Sequence, residues 1–153
     1  MPAKRIKEFL DNQGIKYYVI THSMAFTAQE IAASVHISGY ELAKTVIIRV
    51  KNKLAMAVLP ATYKVNFKQL AKVVGTEDIA LAHEQEFQFR FPECEVGAMP
   101  PFGNLWNMDV YVAEKLARNS DIVFNAGSHT ELIRMSFADF ERLVNPKVLS
   151  YAI

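Results

Sequence analysis

The chain has 153 residues, 51% of them hydrophobic and 22% charged; that is an ordinary globular composition with enough length for one domain and a real core. Seventeen basic against 16 acidic residues give a formal net charge of +1. That excludes a protein held to nucleic acid by bulk charge, but not one that grips a single nucleic-acid end through a few cationic and backbone contacts.

One cysteine, Cys94, excludes an internal disulfide and fits a reducing, cytoplasmic setting. No apolar run approaches a membrane-spanning length, and Met1-Pro2-Ala3-Lys4-Arg5 opens without a signal-peptide apolar region. No repeat and no Pro/Gly/Ser linker divides the chain, so residues 1–153 are expected to form a single domain.

In chain order, Ile6, Phe9 and Leu10 recur at helical spacing and Gly14 marks the stop. Ile15 to Ile20 is β-branched and aromatic and reads as a strand. Thr27-Ala28-Gln29-Glu30 matches a capping box opening a helix with Ile31, Ala32 and Val35 inward, ended by Ser38-Gly39. Lys44 to Val50 is a strong strand, Lys51 to Lys53 a turn, and Leu54 to Leu59 a nearly all-apolar return strand stopped by Pro60. Such continuous apolar runs predict burial on both faces, with helices covering the sheet. A helix follows over Asn66 to Val74 with Gly75 as its stop, then a short strand at Ile79 to Leu81 and a helix over Glu84 to Phe91 closed by Pro92. Asp109 to Ala113, Asp121 to Asn125 and Leu132 to Met135 read as strands. Ser136 caps a last helix to about Val144, ended by Asn145-Pro146. Hairpins mixed with helices, without βαβ alternation, predict an α+β fold with a mixed, mainly antiparallel sheet. The apolar tail Val148 to Ile153 is expected to pack on the body or on a second copy, and the oligomeric state stays open.

Several chemistries lack their signatures. There is no Gly-rich phosphate loop, no Gly-x-Gly-x-x-Gly, no His-Glu-x-x-His and no Cys-x-x-Cys, so no metal and no cofactor is expected. Glu93-Cys94-Glu95 places adjacent side chains on different sides of the chain, which makes a poor metal cluster. Gly-x-Ser-x-Gly is missing, and Cys94 has no identifiable histidine partner, so it reads as a small, partly buried residue.

Four features remain. Gly97-Ala98-Met99-Pro100-Pro101-Phe102-Gly103 combines two glycines with two donor-less prolines, a stiff loop that can bring bare main chain to a ligand or simply connect two elements. Lys44 at the head of a buried strand is a solvated strand end or an anion anchor. Ser128 and His129 follow a flexible Ala126-Gly127 and face a pocket or fill a turn. His22 and Phe26 flank a capped helix start, where free amides can meet an anion; otherwise they are a surface histidine and a hydrophobic staple.

Taken together, Ser38-Gly39-Tyr40-Glu41-Leu42-Ala43-Lys44-Thr45-Val46, Met56 to Pro60, Val96 to Gly103 and Phe124-Asn125-Ala126-Gly127-Ser128 resemble the YbaK/prolyl-tRNA-synthetase-associated editing domain, from about Ile6 to Val144. The resemblance implies a stand-alone deacylase that hydrolyses the ester between a wrong amino acid and the terminal adenosine of a tRNA. It implies that Lys44 helps hold the terminal nucleotide, that Gly97 to Gly103 cradles the aminoacyl end, and that Ala126-Gly127-Ser128 lines the same pocket. Many members have Gly-Gly where this chain has Ala126-Gly127. On this reading Lys44, Gly97 and Gly103 act on the ester. His22, Phe26, Thr45, Ile47, Met99, Pro100, Pro101, Phe102, Ala126, Gly127, Ser128 and His129 bind the aminoacyl-adenosine, with Met99, Phe102 and Ile47 as pocket walls.

An aminoacyl ester is already activated, so a positioned water and rigid amide donors suffice, each donor contributing about 3 kcal/mol. The expected substrate is a small amino acid such as alanine or cysteine on proline tRNA, with serine open. A prolyl-tRNA synthetase is a possible partner, and Lys51, Lys53, Lys64 and Lys68 are candidate basic contacts. The other classes are a catalytically silent binding module for aminoacyl-tRNA and a small-molecule regulatory domain on the same fold; tRNA affinity and ester hydrolysis separate the three.

Overall fold

The computed structural model describes residues 3–21 and 41–153. The capping-box helix at 27–35, with His22 and Phe26 before it, lies outside the described residues. The described strands form one eight-stranded sheet in the order β1-β7-β6-β2-β3-β5-β8, with β4 also paired to β2. They are β1 (Tyr17–Thr21), β2 (Leu42–Val50), β3 (Lys53–Pro60), β4 (Ile79–Leu81), β5 (Asp109–Ala113), β6 (Asp121–Asn125), β7 (Glu131–Ser136) and β8 (Lys147–Leu149). The helices are α1 (Lys4–Asn12), α2 (Phe67–Val74), α3 (Glu84–Phe87), α4 (Glu114–Ala117) and α5 (Phe137–Val144). Pairing is antiparallel for β1–β7, β2–β3, β2–β4 and β6–β7, and parallel for β2–β6, β3–β5 and β5–β8. The expected mixed, mainly antiparallel sheet is the sheet observed.

The β2–β3 hairpin is tighter than expected. Lys51 and Asn52 alone make the turn, both at positive φ (50° and 67°), as a two-residue turn matching strand twist requires. Lys53 is already in register with Val50.

Alternation divides β2 and β3 between two apolar cores. Ala43, Ile47, Met56 and Val58 face a core closed by α1, α5 and residues 91–108. Ile48, Val50, Ala55, Ala57 and Leu59 face a second core, closed by α2 and Tyr151. Burial on both faces explains why these strands are so largely apolar. Each longer helix stops where its sequence says: Asn66 accepts from the Gln69 N–H at the start of α2, Gly75 ends it in the left-handed region, and Ser136 caps α5 through the Asp139 N–H.

Three elements depart from the expected pattern. The helix expected over Glu84 to Phe91 is α3 followed by a separate 3₁₀ turn at Gln88–Arg90. The single turn α4 is too short to show a period. The C-terminal tail contains β8, parallel to β5, and beyond it Lys64 and Ile153 exchange backbone hydrogen bonds of 2.7 and 2.9 Å. The tail therefore packs on its own body.

Tyr151 anchors it. The ring is buried, and the hydroxyl donates to the Tyr111 carbonyl at 2.6 Å and lies 3.1 Å from the Val58 carbonyl. Burial pushes its phenol far above the ordinary range, so it is a permanent donor. Tyr151→Phe leaves these carbonyls without that donor and is expected to cost about 1–2 kcal/mol in urea unfolding, with an unchanged m-value.

Candidate active site

Two loops are fastened to each other. Gly127 donates its N–H to the Ala98 carbonyl and accepts from the Glu95 N–H, both at 2.8 Å. Its φ of 102° presents both groups to the same neighbour, a conformation that favours glycine. Side chains repeat the link: the His129 N–H donates to Glu95 Oε2 at 3.1 Å, and His129 Nε2 lies 2.6 Å from the Val96 carbonyl. A carbonyl only accepts, so His129 Nε2 is the donor in this bond. Gly97, at φ +83°, lies against that imidazole, where an added Cβ would sit 3.6 Å from His129 Cε1. Ser128 is buried, and its hydroxyl bonds Thr130 Oγ1 at 2.9 Å while accepting from the Thr130 N–H. The expected residues Gly97, Ala126, Gly127, Ser128 and His129 are thus gathered at one place. Glu95, which sequence reasoning passed over, helps hold them there.

The rest of the Gly/Pro loop runs inward. Met99, Pro100 and Pro101 are buried. Phe102 is fully buried, in ring contact with Phe9, Phe124 and Phe140 at centroid distances of 6.0, 5.4 and 5.3 Å. It anchors the loop from within the core and offers no open surface as a pocket wall. Gly103 is also buried, and its carbonyl accepts from the Trp106 and Met108 N–H groups. A Cβ there would meet the Met108 carbonyl oxygen at 2.4 Å. Glycine is required at 103 by close backbone packing, and only the Gly97 end of the loop is exposed.

β2 supplies the other half. β3 pairs with it from Ala43 to Val50. On its other side β6 pairs only at Leu42 and Ala43, and β4 only from Ile48 to Val50, with the Ala82 N–H reaching the Ile47 carbonyl. Among the described residues, Lys44 to Val46 therefore have no strand beside them on that side. This break in the sheet adjoins the loop that follows β6.

Parity splits the expected β2 residues. Ile47 belongs to the core that holds Met99, Phe102 and Ala126, and Thr45 shares its face. Lys44 faces the opposite side with its register partner Leu59. It is half-buried, and its ammonium is pulled below the ordinary lysine range, first by burial and then by the nearby Lys64 charge. Asn125 ends β6, one residue past the Ala43–Phe124 pair. Asn125 Oδ1 is buried without a hydrogen-bond partner among the described residues, a costly state for an acceptor. In the sequence, only the place of Asn125 at the foot of the second glycine loop could have marked it. Cys94 is held protonated, its thiol pushed up to about 11 by burial and Glu93, so it is no nucleophile at neutral pH. Among the described residues, no group of three His, Cys, Asp or Glu is placed to hold a metal.

Comparison with known proteins gives the family and the fold. The family model of the aminoacyl-tRNA editing domain matches residues 22–143. Among curated proteins, the multifunctional Ser/Thr-tRNA deacylase ProXp-y of Escherichia coli (strain K12) is 27% identical over 157 residues, spanning 97% of this chain and 91% of that protein. Among solved structures, one described as a candidate trans-editing enzyme for prolyl tRNA synthetase superposes with a TM-score of 0.84 at 18% identity, covering 99% of this chain and 97% of that one. A hypothetical protein superposes at 0.85 with 20% identity, covering 97% and 99%. Both likenesses establish the fold.

Two outcomes follow from the geometry. Gly103→Ala is expected to destabilise the fold by about 1–3 kcal/mol through overpacking against Met108, measured by chemical denaturation. Lys64→Ala is expected to raise the Lys44 titration midpoint toward the ordinary lysine value, read by NMR on labelled lysine. The sign follows from the cause: charged Lys44 is disfavoured in the fold, so its linkage makes stability rise with pH between its folded and unfolded midpoints.

Proposed function

The chain belongs to the aminoacyl-tRNA editing domain family, whose members hydrolyse the ester of mischarged tRNA, and from that premise we propose a trans-acting deacylase specific for a small amino acid. The observation that carries the reading is the fastening of the Gly97 loop to the loop of Gly127 and His129, at the side of the break in β2.

The terminal adenosine enters at that break. Exposed main chain at Gly97, fixed before substrate arrives, donates to the oxyanion as water attacks the ester carbonyl; rigid donors of this kind contribute about 3 kcal/mol each. Gly103 is not one of them, because its place is taken by packing. Lys44 lies in the break, on the face opposite the loops, where its ammonium, poorly solvated, meets phosphate or ribose oxygen more strongly than a fully hydrated lysine would. Asn125 Oδ1 gains the partner it lacks by accepting from a ribose hydroxyl or from the substrate's α-ammonium. The water itself is oriented by the substrate's 2′-hydroxyl or amino group, which accounts for the absence of an evident general base.

Size sets selectivity. Ile47 and Met99 pack in the buried core beneath the loops, a dense support that yields little to a large side chain, and steric exclusion of large side chains is stronger than the ~1–3 kcal/mol available per methylene for rejecting small ones. Alanine and cysteine on proline tRNA fit this description. Serine and threonine join them on the strength of the relative named for Ser/Thr-tRNA.

The test is release of labelled amino acid from proline tRNA charged with alanine, cysteine, serine or proline, and from the serine and threonine tRNAs. Wild type is expected to release one or more small amino acids, to spare proline, and to lose about 10- to 100-fold in rate in Lys44→Ala. Release from no member of the panel, with tRNA still bound, overturns hydrolysis in favour of a binding module.

A further inference from the structure

Cations are distributed unevenly over this nearly neutral chain. Around α1, β7 and α5 they are neutralised at short range: Lys4 by Glu8, Lys7 by Glu131, Arg134 by Glu41 and Asp121, and Arg142 by Asp139. At the turn end of the β2–β3 hairpin they are not. A groove of about 820 Å³ is lined there by Lys51, Lys53, Arg90 and Lys147, and Asp109 is the carboxylate in its wall. Among the described residues none of Lys51, Lys53 and Lys147 makes an ion pair. The Arg90 guanidinium is held in place by the Trp106 carbonyl, and the Lys147 ammonium lies 6.0 Å from the centre of the Tyr111 ring. The amide side chains of Asn52 and Asn107 add neutral donors to the same lining. Keeping four cations close together with one carboxylate costs folding stability through repulsion, and an anion relieves that cost.

The groove's position narrows the choice of anion. It lies at the far end of β2 from Lys44, seven residues away, or roughly 23 Å at about 3.3 Å per residue. Part of its wall, Val50, Ala55 and Tyr111, belongs to the sheet face that Lys44 also occupies. Lys64, Lys68 and Lys72, also outside any ion pair among the described residues, lie on the segment and helix α2 that cover this face, with Glu77 beyond them. The terminal adenosine cannot reach from one end to the other, whereas a polynucleotide can, with a phosphate at every step.

We infer that this groove is a phosphate-backbone site for the acceptor arm of the tRNA whose aminoacyl end lies at the β2 break. The inference rests on the proposed function, and it assigns the groove to affinity and placement, leaving ester cleavage to the other end of the strand. Contacts of this kind position the nucleic acid without reading its sequence.

The experiment compares Lys51→Glu/Lys53→Glu with Lys4→Glu/Lys16→Glu, an equal charge change made at exposed positions on and just after α1. Binding of uncharged tRNA is followed by fluorescence anisotropy across a salt series. The groove variant is expected to bind at least about tenfold more weakly near 0.1 M salt, with a salt slope shallower by about 2, roughly one unit for each phosphate that is no longer neutralised. The control variant keeps the wild-type slope. Deacylation of full tRNA is expected to fall through KM in the groove variant, while cleavage of an aminoacylated fragment carrying only the last few 3′ nucleotides stays at the wild-type rate. Equal affinity and slope in the groove variant, or an equal loss in the control, overturns the inference. Groove-dependent tRNA binding in a protein that cleaves no ester would uphold the groove and overturn the deacylase; active cleavage with an unimpaired groove variant would do the reverse.

Discussion

Gly127 holds two loops with one residue. Its N–H and carbonyl are both committed to the 95–98 segment, and no β-branched or bulky side chain sits easily at its φ of 102°. The Gly/Pro loop is thereby fixed at both ends, by this backbone pair at Ala98 and by the packing of Phe102 and Gly103 at its other end. Rigidity here has a chemical consequence. Amides held in position before substrate binds need no reorganisation when charge develops, and that is the condition under which backbone donors stabilise an oxyanion.

The second constraint is the change of partner along β2. A strand paired on both sides over its whole length would have no free edge for a nucleotide. Here β6 leaves after Ala43 and β4 begins at Ile48, so among the described residues the middle of a buried strand has no strand on that side, and the hairpin that supports it is unbroken. Lys44, half-buried near the Lys64 charge and on the opposite face from the loops, stands at this break, and Asn125 Oδ1, without a partner among the described residues, ends β6. A family resemblance alone would have set all these groups around one pocket wall. The geometry distributes them across the sheet, with the two loops on one side and the charge on the other.

How much of this was legible in the sequence depended on the type of signal. The β2–β3 hairpin, α2 and α5 were written plainly, because apolar runs, an Asn or Ser cap and a left-handed stop coincide in each helix, and the hairpin strands carry the apolar runs Val46-Ile47-Ile48 and Leu54 to Leu59. The Gly/Pro loop and the Ala126-Gly127-Ser128 loop could be found, and their proximity could be expected from resemblance. Their mode of attachment through Glu95 and His129 could not, since it depends on partners 33 and 34 residues apart. Phe102 and Gly103 belong to the same motif as Gly97, and nothing local to the motif says that the first two are buried and the third exposed. The tail was visible only as an apolar stretch; what makes it part of the body is the pairing of β8 with β5 and a hydroxyl from Tyr151 bonded to a carbonyl 40 positions away.

The central claim is that the fastened loops and the break in β2 form one site for an aminoacyl-adenosine. The most direct measurement is a crystal structure of the protein with a non-hydrolysable aminoacyl-adenosine analogue, its ester replaced by an amide. The account predicts the analogue's carbonyl at the main chain of Gly97, with the ribose lying along residues 44–46 toward Lys44 and Asn125. An analogue bound elsewhere, with the Gly97 and Gly127 loops untouched, would contradict it.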